Sequence, residues 1–156
     1  MDFYNGYSPA ERSRAGAAAR REVVKGGLSP AMACMLCGDP SAHVELHSED
    51  YSRPYCFEPP AAYWLCIPCH RNNLHKRFSD PSRWTAFLLH VERGGYASDL
   101  HQPHIRREVQ HAAAALRAGE TIALPQLRTR DQRDPWWRRL SLDERTKTDP
   151  AARPRP

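Results

Sequence analysis

Alternation and helical periodicity divide this chain into a few short elements. Ser8-Pro9 opens a helix, since serine caps well and proline suits the first helical position. PAERSRAGAAARREVVK carries it to Gly26-Gly27, with a thin apolar stripe of alanines plus Val23 and Val24. HVEL at 43–46 and AYWL at 62–65 alternate as short strands, and the proline-bound loop SRPYCFEPP lies between them. IPCHRNNLHKRF, residues 67–78, predicts a helix with Pro68 tolerated in its first turn. DPSRWTAFLLHVERGGY predicts another, capped by Asp80, striped by Trp84, Phe87, Leu88 and Val91, and stopped at Gly94-Gly95. A further helix runs from Pro103 to Gly119. The Pro- and Arg-rich remainder lacks periodicity. It predicts an extended or disordered arm that buries little and is tethered by Trp136, Trp137 and Leu140.

A length of 156 residues suits one domain with appendages. The segments are a basic N-terminal helix and linker (1–33), a Cys-rich core (34–78), a helical extension (79–125) and the C-terminal arm (126–156). Charge sharpens the last boundary. The arm carries nine Lys or Arg against five Asp or Glu, whereas residues 1–125 carry 14 against 13. A basic arm suits nucleic acid, and a solvated tail has the same composition. MDFYNGYSPAERS has no apolar signal segment, and no window is apolar enough to span a membrane. A cytoplasmic protein with no membrane partner is the expectation. In a reducing compartment, closely spaced cysteines are metal ligands before they are disulfides.

Cys34-x-x-Cys37 and Cys66-x-x-Cys69 form two such pairs around a 28-residue insert. Zinc takes four thiolates in a tetrahedron, each Cys-x-x-Cys turn offers two, and a site closed by four cysteines is structural. Gly38 suits the tight turn after the first pair, because it adopts positive φ freely. Cys56 has no partner spacing and reads as a small packed apolar residue.

The insert adds His43, His47, Glu49 and Asp50, and the segment after it adds His70, Asn73 and His75. On an α-helix over 67–78, His70 and Asn73 share a face at i, i+3 and His75 turns well away from His70. The strand pair, ending against that helix, brings His47 to His70 across a small cleft, with Asp50 or Glu49 as the carboxylate.

CMLCG, HSEDYSRP, WLC and CHRNNLH together resemble the zinc-containing branch of the HNH family. More narrowly, they resemble small phage and mobile-element proteins of the pattern C-x-x-C-G … H-H-x-D-Y-S-x-P … W-L-C-x-x-C-H-x-x-x-H. The resemblance covers about residues 34–78. It implies a small zinc-stapled ββα (HNH-like) core; with the helices read before and after it and the extended basic C-terminal arm, the expected fold class is α+β. It also implies a catalytic divalent metal, Mg2+ or Mn2+, at a second site beside the structural Zn2+. His70 matches a metal-ligand position. His47 matches either of two adjacent positions, the ligand or the general base that activates water. As base, His47 leaves Leu46 at the ligand position; as ligand, it leaves Ser48 at the base position. The family asparagine has no counterpart in EPPAAYW. The candidate catalytic residues are therefore His47, His70 and Asp50, and the zinc ligands Cys34, Cys37, Cys66 and Cys69.

The expected function is a zinc-binding, HNH-like nucleic-acid protein acting on DNA, with metal-dependent phosphodiester cleavage as its activity. The alternative is a non-catalytic zinc-finger module that docks on DNA, or on a protein through the C-terminal arm, as an accessory or inhibitor of a mobile element. An RNA-binding knuckle needs exposed aromatics for stacking, and Tyr51, Tyr55, Phe57 and Tyr63 are the candidates.

Overall fold

The computed structural model describes residues 3–122 and 135–142. The architecture is mixed α and β. Helix α1 spans Pro9–Lys25, strands β1 and β2 span Val44–Ser48 and Ala62–Cys66, and helices α2 and α3 span Pro81–Glu92 and Pro103–Arg117. The strands pair antiparallel, with Val44 opposite Cys66 and Ser48 opposite Ala62.

Local chemistry sets the helix ends. Ser8 and Glu11 form a reciprocal capping box on α1, and Asp80 accepts from the Arg83 amide at the start of α2. α1 packs through Ala15, Ala18 and Ala19. The expected contribution of Val23 and Val24 is absent, since they are 38% and 87% exposed. Small side chains let the helix lie close to its neighbours, and the two valines fall on the solvent side.

The main core surrounds the cysteines. Leu36, Leu65, Leu74, Trp84, Phe87 and Val91 are buried around them, with Leu88 at the margin, so the stripe expected on α2 is realised. Ala86 on α2 meets Val109, Ala112 and Ala113 on α3 in a second cluster, where alanines allow close helix approach.

Three expectations need correction. The helix over 67–78 is not α-helical: Pro68–Asn73 is a π-helical turn followed by a 3-10 turn over Leu74–Lys76. The C-terminal tether is not a light contact, because Trp137 is 2% exposed within the main core. Trp136 stacks on Tyr63 with centroids 3.5 Å apart and planes at 8°. Two large aromatics bury more apolar surface than the surrounding charges resist. The rest of the arm lies outside the described residues. Thirdly, Cys56 is exposed rather than packed, with its thiol turned to the Glu58 carbonyl of its own loop.

Gly95 is tightly constrained by the buried His90. A Cβ there would lie 2.2 Å from His90 Cε1 and Nε2. His90 Nε2 donates to the Tyr96 carbonyl at 3.0 Å, which fixes the ring. Gly95→Ala is therefore expected to destabilise by about 3 kcal/mol, as overpacking does when the neighbour is held. A urea titration reads this as a lowered midpoint; an unchanged midpoint would show that the ring relocates freely.

Candidate metal centres

The Cys-x-x-Cys turns fold as their spacing requires. Gly38 takes φ 75°, and its amide donates to the Cys34 carbonyl at 2.8 Å, closing the first turn. The second pair straddles the end of β2 and the π-helical turn. All four sulfurs lie within 4.8 Å of one another and are buried. Cys37 Sγ and Cys66 Sγ are 3.9 Å apart, near the edge of about 3.8 Å that a tetrahedron with metal–sulfur bonds of about 2.3 Å demands. Hydrogen bonding from Cys37 brings Cys34 down, while burial and the neighbouring sulfurs drive Cys69 up. A dication is the natural means of holding four thiolates in so dry a space, and zinc meets that description.

A second group lies beside the first. Ligand atoms of His47, His70 and His75 also fall within 4.8 Å of one another. The rings of His47 and His70 are 4.8 Å apart, centroid to centroid, and those of His70 and His75 are 4.4 Å apart. His47 and His70 thus meet at the end of the strand pair as expected. His75 joins them against expectation, and the π-helical turn is the reason. On an α-helix, a residue five positions on lies far around the axis from His70. A turn with i→i+5 bonding takes up one extra residue and returns His75 to the face of His70. The signal is visible in the spacing: the family pattern has three residues between these histidines, and this chain has four.

Strand alternation orders the rest. Glu45 and His47 share one face of β1, while Leu46 and Ser48 point to the other. Glu45 Oε1 lies 2.6 Å from His70 Nδ1, and Arg71 grips the same carboxylate at 2.8 and 2.6 Å. Glu49 Oε1 lies 2.5 Å from His47 Nε2. Arg77, fully buried, grips Glu49 through both oxygens at 2.8 Å. Burial alone would raise both carboxyl groups. Bonds from Arg71 and His70 nevertheless hold Glu45 low, and bonds from His47 and Arg77 bring Glu49 to about 2.

Two carboxylates thus fix two imidazoles from behind, the arrangement that orients histidine ligands toward a metal. They occupy His47 Nε2 and His70 Nδ1 and leave the other nitrogen of each ring clear of the carboxylates. His47 Nδ1 is buried with no hydrogen-bond partner among the described residues. Loss of solvent, then the charge of a neighbouring histidine, lowers His70 to about 4 and His75 to about 3. Both are neutral near pH 7, the form that ligates.

Asp50 takes no part. It is not among the group's ligands, and it accepts instead from the Tyr7 hydroxyl and from the Ser52 amide at 2.8 Å. The reason is an N-terminal turn outside the elements that periodicity predicts. Tyr4-Asn5-Gly6-Tyr7 closes a tight turn, with Asn5 and Gly6 at φ 55° and 77°. Asn5 Nδ2 donates to the Glu49 carbonyl at 2.7 Å and to the Glu49 carboxylate at 3.0 Å. The Tyr4 ring lies 5.1 Å from that of His75 and 6.0 Å from that of His47. Asn-Gly is the strongest short-range signal for such a turn, and it was present at residues 5 and 6.

The lowered His70 predicts a pH effect. The unfolded chain takes a proton near 6.5 and the folded one only near 4. Folding stability therefore falls as pH drops from about 6.5 toward 4, because the unfolded state binds the proton first. In urea titrations between pH 7.5 and 5, wild type is expected to lose stability relative to His70→Gln. A constant difference would contradict this.

Among the described residues, no helix is long and apolar enough to cross a membrane. Comparison with protein-family models, curated proteins and solved structures finds no match, so the two metal-competent groups themselves carry the functional argument.

Proposed function

We propose that this chain is an HNH-like, zinc-stapled nucleic-acid protein whose three histidines hold a second, catalytic divalent metal for phosphodiester hydrolysis. One observation carries the reading: three imidazoles converge, two braced by carboxylates, with a buried nitrogen of His47 left for a ligand. The order CxxC, strand pair, CxxC, His, His matches the resemblance described above, with His47 as ligand rather than base. Cys34, Cys37, Cys66 and Cys69 bind the structural zinc.

Three imidazoles suit a borderline transition ion, Zn2+, Co2+ or Ni2+, better than Mg2+, which selects oxygen donors. When bound, the ion supplies Lewis acidity toward a phosphate oxygen and makes a nucleophile of water near neutral pH. The chain's own part is to hold the geometry. Glu49 and Glu45 fix the tautomers of His47 and His70, and Arg77 fixes Glu49. The group runs from buried His47 through half-buried His70 to exposed His75, so a phosphate enters from the His75 side. Ser48 offers no base where the family places one, and cleavage is expected to be slow.

The non-catalytic reading has one observation in its favour: the Tyr4 turn lies over His47 and His75. A nicking assay on supercoiled DNA with Mn2+, Co2+, Ni2+ or Zn2+ decides between the two. Metal-dependent nicking lost in His47→Ala, with the cysteine-bound zinc retained, is the expected result. Equal nicking by wild type and His47→Ala, or none by either, would leave the binding-module reading.

A further inference from the structure

A cavity of about 500 Å³ lies between the π-helical turn, α2, the Ala97–His101 turn and α3. Its volume is in the range of small-molecule sites. Lys76, Arg83, Arg106 and Arg117 line it against one acid, Asp80, which is paired with Arg117 at 2.5 Å. Lys76, Arg83 and Arg106 have no ion pair among the described residues, so the cavity carries uncompensated positive charge. Leu100 and Val109 give it an apolar wall.

Asn73 supplies the second observation. It lines the cavity yet is 1% exposed. Its Nδ2 donates to the Pro68 carbonyl at 2.9 Å, and its Oδ1 has no donor among the described residues. A buried acceptor without a donor costs about 1–3 kcal/mol, so this part of the cavity wall carries an unmet polar cost.

We infer that this cavity binds a nucleotide: phosphate on the cations and the flat base against Leu100 and Val109, beside the wall that holds Asn73. The cations exclude metal ions and basic ligands. The apolar wall sets the site apart from a bare phosphate patch. The cavity borders the metal group through one turn, since His70 belongs to the metal group and Asn73 to the cavity wall. The inference stands whether or not the three histidines cleave anything.

Calorimetric titration of the zinc-loaded full chain tests it, with inorganic phosphate, deoxyadenosine monophosphate and a short single-stranded oligonucleotide as probes. The mononucleotide or the oligonucleotide is expected to bind at least about tenfold more tightly than phosphate. The double variant Lys76→Gln, Arg106→Gln, checked by circular dichroism, is expected to lose about tenfold for that probe. Arg20→Gln with Arg21→Gln, on α1 and away from the cavity lining, is expected to leave mononucleotide binding unchanged. Mononucleotide binding identifies a free nucleotide. Binding of the oligonucleotide alone, with the same dependence on Lys76 and Arg106, identifies a nucleotide within a strand. Phosphate binding as tightly as both organic probes, no binding by any probe, or full binding by the cavity variant would overturn the inference.

Discussion

Replacing Cys37 with serine is expected to release the structural metal and abolish cooperative folding. Cys37 has no exposed surface, and the four sulfurs sit among Leu36, Leu65, Leu74 and Phe87, so a metal held by them would lie within the main core. Structural zinc contributes about 10 kcal/mol or more in small domains, comparable with the whole stability of a chain this size. The variant also leaves three buried thiols crowded with no cation to ionise them. Metal analysis and thermal melting check this. Wild-type metal content and an unchanged melting transition would show that the knuckle is not a metal site.

Truncating Trp137 is the second large effect. Trp137→Ala is expected to cost about 3–5 kcal/mol, the range for removing a buried aromatic. Trp137 contacts the same core as the cysteines, and Trp136 beside it stacks on Tyr63 and donates to the Met35 carbonyl at 3.4 Å. Removing residues 126–156 is expected to cost at least as much, because both tryptophans go. Guanidinium titration of the zinc-loaded variants measures it. A loss under about 1 kcal/mol would mean that the segment packs weakly and contributes like a surface group.

These two cases mark what was legible in the chain. The Cys-x-x-Cys pairs could be read because metal chemistry dictates both residue type and spacing. The strands, the Asp80 cap and the α2 stripe followed from periodicity and capping, which act over a few residues. Trp137 was hidden because it stands in a polar, Pro- and Arg-rich segment. Its partners are distant in sequence, and no local pattern marks it. His75 was hidden for a different reason. Helical geometry assigned it to the wrong face, and only the extra residue between it and His70 hinted that the turn would widen. Asp50 lies close to His47 in sequence, but Tyr7, 43 residues earlier, claims its carboxylate.

The central claim is that His47, His70 and His75 form a second metal site, independent of the cysteines. Metal stoichiometry after dialysis against Zn2+ or Co2+ tests it most directly. Wild type is expected to hold two ions per chain, and His75→Ala one, with the thiolate absorption of the cobalt-substituted cysteine site intact. One ion in wild type, or two in His75→Ala, would contradict the account.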